Sequence, residues 1–210
     1  MIVTCFNTKG GVGKSTILQQ VVVPFLYKAG GDIVYIDTDK MNQASRFIEK
    51  SKYVSQIVKH KITNEEDIAS LINIIAELLS ENKKIVIDPP AADASKNAYE
   101  IITAFAEESF VLVPTFDNDD NYKIVVSVLE DANIKHAVIF NKVKKDKELH
   151  LESLSAVLEF AKEKQKTIYE LAEIDTTNLN LKERAFIELI KKVYVKKIEN
   201  TMNMLSEVIK

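Results

Sequence analysis

Short apolar runs alternate with stretches of helical periodicity from the amino terminus as far as Phe140. The runs Ile2–Phe6, Ile33–Ile36, Val54–Val58, Ile85–Ile87, Phe110–Val113 and Ala137–Phe140 read as strands. Each is too short for a helix and is bounded by turn-forming or polar residues. Helices are predicted from Ser15 to Ala29, from Met41 to Glu49, over Ser95–Ala106 and over Asn121–Asp131. One more opens at Thr63-Asn-Glu-Glu66, which has capping-box spacing, and continues to Ser80. Gly30-Gly31 stops the first helix, and Pro24 inside it predicts a kink or local break. Lys142–His150 is charged and predicts a loop and the start of a helix. From Leu181 to Ile209 a long helix is expected, with an apolar stripe running from Ile187 and Ile190 to Leu205 and Ile209. Docking against the sheet is its expected role, with membrane-surface or partner binding as the alternatives.

Strands that are apolar on both faces and alternate with helices belong to parallel sheets covered on both sides. The expected fold is therefore α/β: a mostly parallel, doubly wound sheet in a single domain spanning residues 1–210, with a long C-terminal helix. In such sheets ligands gather at the carboxyl ends of the strands. Asp37, Asp39, Asp88 and Asn141 all fall there.

Composition narrows the class. Hydrophobic residues make up 46% of the 210 and charged residues 28%, ordinary values for a globular chain. No apolar run approaches the roughly 20 residues of a membrane span, so no stable membrane insertion is expected. The chain opens directly on a strand, which predicts no signal peptide and a cytoplasmic location. Cys5 is the single cysteine, so no intrachain disulfide forms, and a small buried side chain is expected. The net charge of −3 argues against a surface devoted wholly to nucleic acid. Residues 1–134 hold 13 basic and 19 acidic side chains, whereas residues 135–210 hold 15 and 12. That asymmetry is mild.

The segment Lys9-Gly10-Gly11-Val12-Gly13-Lys14-Ser15-Thr16 carries the chemistry. A glycine-rich turn between a strand and a helix aims successive backbone N–H groups at one point, with the positive end of the helix dipole behind them. That geometry binds phosphate. Lys14 then reaches the β- and γ-phosphates, and the Ser15 hydroxyl is placed to ligate Mg²⁺. Thr8 stands where an ordinary P-loop has glycine, and an additional lysine stands at position 9. This arrangement resembles the deviant Walker A motif of the ParA/MinD family of ATPases, within the P-loop NTPase fold.

Asp88 ends the run Lys84-Ile-Val-Ile-Asp88. A carboxylate at a strand tip beside a P-loop matches the Walker B role of holding Mg²⁺ directly or through water. Asp37 and Asp39 lie two residues apart, and strand alternation would turn both the same way. One would attend to the metal and the other would orient the attacking water. The resemblance implies that Asp39 is the aspartate needed for hydrolysis, which leaves Asp37 with Ser15 and Asp88 at the metal. The Pro-Gln pair usual after this motif is replaced by Lys40-Met41-Asn42-Gln43. An asparagine at this distance is similar to ATPases encoded with plasmid-transfer functions. The amide of Asn141 offers a donor and an acceptor to an adenine edge, and in relatives this strand end lies near the base. Pro114, with Thr115, is expected to border the nucleotide at another strand end. The resemblance also implies that Lys9 reaches across a homodimer to the partner's phosphates, so that Lys9, Lys14 and Asp39 act in catalysis.

ATP and Mg²⁺ are thus the expected cofactors. The function implied by the resemblance is an ATP-dependent, dimerising ATPase of plasmid or chromosome partitioning. It would work with a separately encoded, DNA-bound ParB-like adaptor, bind DNA non-specifically and associate with the nucleoid. Lys191, Lys192, Lys196 and Lys197 are candidate phosphate contacts, with a solvated face as the alternative. The alternatives are a conjugative-transfer ATPase, a MinD-like membrane-positioning ATPase, and a metabolic ligase related to the cobyric acid enzymes. His60, His136 and His150 are scattered and form no catalytic constellation. One cysteine cannot supply the ligands of a shared iron–sulfur cluster.

Overall fold

The structure, a computed structural model, describes residues 1–39, 43–49, 51–90, 95–115, 121–143 and 168–172. The expected C-terminal helix and its four lysines lie outside the described residues, as do residues 144–150 and His150 with them. Seven strands form one sheet: β1 (Ile2–Cys5), β2 (Ile33–Asp37), β3 (Gln56–Lys59), β4 (Lys84–Asp88), β5 (Ser109–Thr115), β6 (Lys135–Val143) and β7 (Ile168–Ala172). Their order is β3-β2-β4-β1-β5-β6-β7, and every neighbouring pair is parallel.

Alternation along each strand sorts the core into two layers. Val3, Cys5, Ile33, Tyr35, Val86, Phe110, Leu112 and Ile139 share one cluster with Ile17, Leu18, Val21, Val22 and Leu26 of the helical segment over residues 14–28. On the opposite face Val34, Ile36, Ile85 and Ile87 pack against α4 (Glu65–Ser80) through Ile68, Leu71, Ile75 and Leu78. Val111, Val113 and Val138 pack against α6 (Asn121–Asp131) through Tyr122, Val125, Val126 and Leu129. Helix α5 (Ser95–Ala104) bridges these two clusters, with Ile101 in one and Ala98 and Ile102 in the other. The connections after β1 and β2 thus cover one face, and those after β3, β4 and β5 cover the other. Because β1 and β4 are neighbours whose helices cover opposite faces, the chain leaves an opening at their carboxyl ends.

The break expected at Pro24 takes a specific form. The helix begins as α1 (Lys14–Ile17), widens into a π-helical segment over Leu18–Val22, and resumes as α2 (Val23–Lys28) with Pro24 in its first turn. The Val23 N–H bonds to the Leu18 carbonyl, five residues back. Proline has no N–H and clashes with the carbonyl four residues earlier, and a wider turn relieves both problems without ending the helix. α3 (Gln43–Ile48) follows β2 on the same face, with Ile48 in the shared cluster.

Four local expectations are corrected. The cap of α4 is Asn64, one residue beyond Thr63. Its side chain accepts from the Asp67 N–H at 2.9 Å, and Asp67 Oδ2 accepts from the Asn64 N–H at 3.2 Å. Thr63 joins through its N–H and hydroxyl, at 2.7 and 2.6 Å from the same oxygen. One carboxylate therefore gathers three donors, which the Thr63/Glu66 spacing did not anticipate. Strand β6 extends to Val143, so Asn141 and Lys142 lie within it, and a register irregularity falls between Phe140 and Val143. Strand β5 likewise includes Pro114 and Thr115. Strand β7 was not anticipated. Its Ile-Tyr-Glu-Leu-Ala sequence lacks an unbroken apolar run, and pairing with β6 (Val138 opposite Ile168) decides its conformation. Among the described residues no helix is long and apolar enough to cross a membrane.

Replacing Asn64 with Ala should lower the unfolding free energy by ~1 kcal/mol. Glu66→Ala, which leaves the Asn64/Asp67 box intact, should change it by less than ~0.5 kcal/mol. Urea titrations of both variants check the assignment, and equal losses would restore the Thr63/Glu66 reading.

Candidate functional site

The loop joining β1 to α1 owes its shape to two strands beside it. Gly11 and Gly13 have φ of 73° and 91°, the left-handed region that side chains avoid. Gly13 is constrained twice, because a Cβ there would also collide with the amide nitrogen of Asn141. Its carbonyl accepts the Ile17 N–H at 2.9 Å, so the helix starts directly from the strained residue. Asn141 in β6 donates to the Val12 carbonyl at 2.8 Å. At the loop's other end, buried Asn7 donates to the Pro114 carbonyl at 2.7 Å and accepts the Lys9 N–H at 2.8 Å. The Asn7 side chain thus continues the β1–β5 contact past the end of β1.

Lys14 is buried, and its ammonium lies 3.2 Å from the Asn7 carbonyl and 3.5 Å from that of Lys9. Burial lowers its pKa, and Cys5 and Asp88 oppose that shift. Cys5 lies fully buried in β1, as expected, with its thiol pKa raised by burial and by Asp88.

Asp88, at the end of β4, is the centre of the polar network. Ser15 Oγ donates to its Oδ1 at 3.0 Å, and the Tyr35 hydroxyl donates to its Oδ2 at 2.6 Å. Its carbonyl accepts from Thr38 twice, from the N–H at 3.2 Å and from Oγ1 at 3.0 Å. The carboxyl is 2% exposed. Burial pushes its pKa up to about 7, the Tyr35 and Ser15 hydrogen bonds and Lys14 pull it down, and Asp37 pushes it further up.

Asp37, opposite Asp88 in the β2–β4 register, is also fully buried. Its Oδ1 accepts the Asp39 N–H at 3.0 Å and its Oδ2 accepts the Ser45 N–H at 2.7 Å. It therefore clamps the two ends of the segment between β2 and α3. Strand alternation stops at Asp37, and Asp39 is half-buried in the loop beyond.

The network thus brings Lys14, Ser15 and Asp88 together at the carboxyl ends of β1 and β4, with Asp37 beside them on β2. It seats Asn141 against the P-loop backbone, and it commits the Pro114 carbonyl to Asn7. Sequence reasoning passed over Asn7, Gln19, Tyr35 and Thr38. The available signals were a polar residue immediately after β1 and a hydroxyl inside an otherwise aliphatic strand.

The donor set has a definite metal preference. Ser15 Oγ and Asp88 Oδ1 are hard oxygens, and the buried carboxylate is bonded to two hydroxyls, with the charge of Lys14 acting on it from nearby. Among the described residues no group of three or more His, Cys, Asp or Glu is arranged to hold a metal. A site with one carboxylate and one hydroxyl suits a cation that keeps waters and takes phosphate oxygens, as Mg²⁺ does. The rings of His60 and His136 are half-buried against the carbonyls of Asp67 and Ile134, each at 2.8 Å.

A family model described as the CobQ/CobB/MinD/ParA nucleotide binding domain matches residues 3–183. The chain belongs to this family. MinD cell division protein from Aquifex aeolicus has the same fold, with a TM-score of 0.70 at 16% identity over 98% of this chain and 97% of that one. Cobyrinic acid a,c-diamide synthase from Mycobacterium smegmatis, with a bound ATP analogue and magnesium, gives 0.62 at 15% over 93% and 97%. The ParA of pNOB8, bound to nonspecific DNA, gives 0.59 at 16% over 98% and 98%. At these identities the likeness is one of fold. No curated protein sequence matches the chain.

The raised pKa of Asp88 has a stability consequence with a definite sign. An aspartate ordinary in the unfolded chain and near 7 when folded binds more protons in the native state between those values. Native stability from this group is present at low pH and is lost as pH rises toward about 7. In metal-free protein, the stability difference between Asp88→Asn and wild type should widen in favour of the variant over that interval and level off above it. Urea unfolding at several pH values tests this, and a constant difference would contradict it.

Proposed function

We propose that the chain binds ATP with Mg²⁺ and hydrolyses it slowly to ADP and phosphate, as a nucleotide-controlled homodimer acting in DNA partitioning. The observation that carries the reading is the meeting of Ser15 and Asp88 directly beneath a left-handed glycine loop that also holds Lys14. Ser15 and Asp88 would hold magnesium, which when bound would neutralise charge that develops on the phosphates.

The chain's own residues divide the remaining work. Backbone N–H groups of Gly10 to Thr16 cradle the phosphates. Lys14 exchanges its contacts with loop carbonyls for stronger ones to phosphate, and the polyphosphate offsets the burial that lowers its pKa. Asp39 orients the attacking water, a positioning task more than a strongly basic one. Asp37 supports it indirectly by holding the Asp39 N–H and the start of α3. Asn141 braces the loop, from a position bordering the base. Lys9 completes the site across the dimer, so phosphoryl charge is fully met only when two protomers close. ATP then favours the dimer through differential binding, and hydrolysis releases it.

A partitioning role accords with the fold, which the chain shares over nearly its whole length with a ParA bound to nonspecific DNA and equally with MinD. The partners on this reading are DNA, contacted non-specifically, and a separately encoded ParB-like adaptor. A ligase on the same site would need a polar second-substrate pocket.

Gel filtration with ATP should show a stable dimer for Asp39→Ala, with hydrolysis reduced at least about 100-fold, the loss typical of a group acting on the transition state. Lys14→Ala should remain monomeric and bind no nucleotide. Lys9→Ala should bind ATP and fail to dimerise. Monomers throughout, with ATP bound, would reduce the protein to a nucleotide carrier.

A further inference from the structure

Tyr35 is the one residue of β2 between Ile33 and Asp37 with a polar side chain, and it is fully buried. The β2–β4 register places it opposite Val86, two residues before the Asp37–Asp88 pair and on the same face. Its hydroxyl reaches Asp88 Oδ2 at 2.6 Å and takes a hydrogen bond from Gln19 Nε2 at 3.2 Å. Gln19 belongs to the π-helical segment that follows the P-loop helix turn, and it too is buried.

The polarity of this chain of groups is set in the form that receives a cation. There the carboxylate is ionised and only accepts, so the phenolic proton points at Asp88. The hydroxyl oxygen then has a lone pair for Gln19, whose amide nitrogen only donates. A carboxyl group on a short side chain turns easily about its terminal bond. Here the two oxygens are held unlike each other: Oδ2 by a phenol in the core, Oδ1 by the P-loop serine. A hydrogen bond to an ionised acceptor at 2.6 Å is of the strong kind.

We propose that Tyr35 is a positioning residue of the magnesium site, holding Asp88 Oδ2 so that Oδ1 faces Ser15 and the metal, with Gln19 orienting the Tyr35 hydroxyl. The inference rests on the nucleotide–magnesium reading above. It makes the metal site a three-element assembly in which β2 and the π-helical segment set the geometry of β4's carboxylate. A phenylalanine would fill the same core volume, so packing alone does not require the hydroxyl.

The experiment is titration of the full chain with a fluorescent ADP analogue, in EDTA and across a Mg²⁺ series, after circular dichroism has established folding. Tyr35→Phe should bind the analogue in EDTA as the wild type does. Its half-saturating Mg²⁺ concentration should rise about tenfold, the usual effect of losing one hydrogen bond to a charged group. Gln19→Met, which removes only the outer donor, should raise it by a smaller factor, about two- to threefold. It also carries the test should Tyr35→Phe not fold. Wild-type Mg²⁺ dependence in whichever of these variants folds overturns the proposal. Equal weakening with and without Mg²⁺ overturns it as well, since that is the mark of a purely structural role. Wild-type protein that binds no analogue in either condition overturns the nucleotide reading itself, and this inference with it.

Discussion

A carboxyl group buried at the end of a central strand is unfavourable unless its oxygens are bonded and its charge is met. Asp88 is such a group, and much of the surrounding structure is organised by that constraint. Its oxygens receive hydroxyls from the P-loop helix and from β2, and its main-chain carbonyl receives both donors of Thr38. These bonds satisfy the acceptors without supplying a full positive charge. The acid therefore sits poised between its protonated and ionised forms, which is a reasonable resting condition for a carboxylate meant to receive a cation together with a substrate.

The same bonds link elements that nucleotide state would have to coordinate. Thr38 and Asp39 follow β2, and the turn after Asp88 follows β4. Thr38 ties the first of these segments to the carbonyl that begins the second, while Asp37 ties it forward to α3 at Ser45. Two hydrogen bonds thus tie the Asp88 main-chain carbonyl to Thr38, the neighbour of Asp39. The P-loop is braced separately by Asn7, which ties its start to β5, and by Asn141, which reaches it from β6. Its left-handed glycines are held in place before any phosphate arrives, and such preorganisation avoids an ordering cost on binding.

Legibility in the sequence followed the range of the interaction involved. Lys14, Ser15 and the glycines lie in one contiguous segment, whose chemistry is set by spacing along the chain. Asp88 could be proposed because an aliphatic strand ending in a carboxylate is a local pattern. Tyr35 could not be separated from an ordinary strand aromatic, because its partners are 53 residues away on β4 and 16 away in the π-helical segment. Asn141 was legible as a strand-end amide, but its bond to Val12 spans 129 positions and follows from β6 lying two strands from β1. The shift of the α4 cap to Asn64 had a different cause: three competing donors converge on one Asp67 oxygen, and spacing rules rank only pairs.

By itself, the order of apolar runs and glycines determined a parallel α/β fold with a phosphate-type loop after its first strand. Both follow from short-range sterics and from the need to bury strands on two faces. Only the tertiary structure decided that Asp37 faces backbone amides, that Asp88 is shared between a serine and a tyrosine, and that β7 joins the sheet. These outcomes depend on strand order and register, which bring distant residues within hydrogen-bonding reach and which no local pattern encodes.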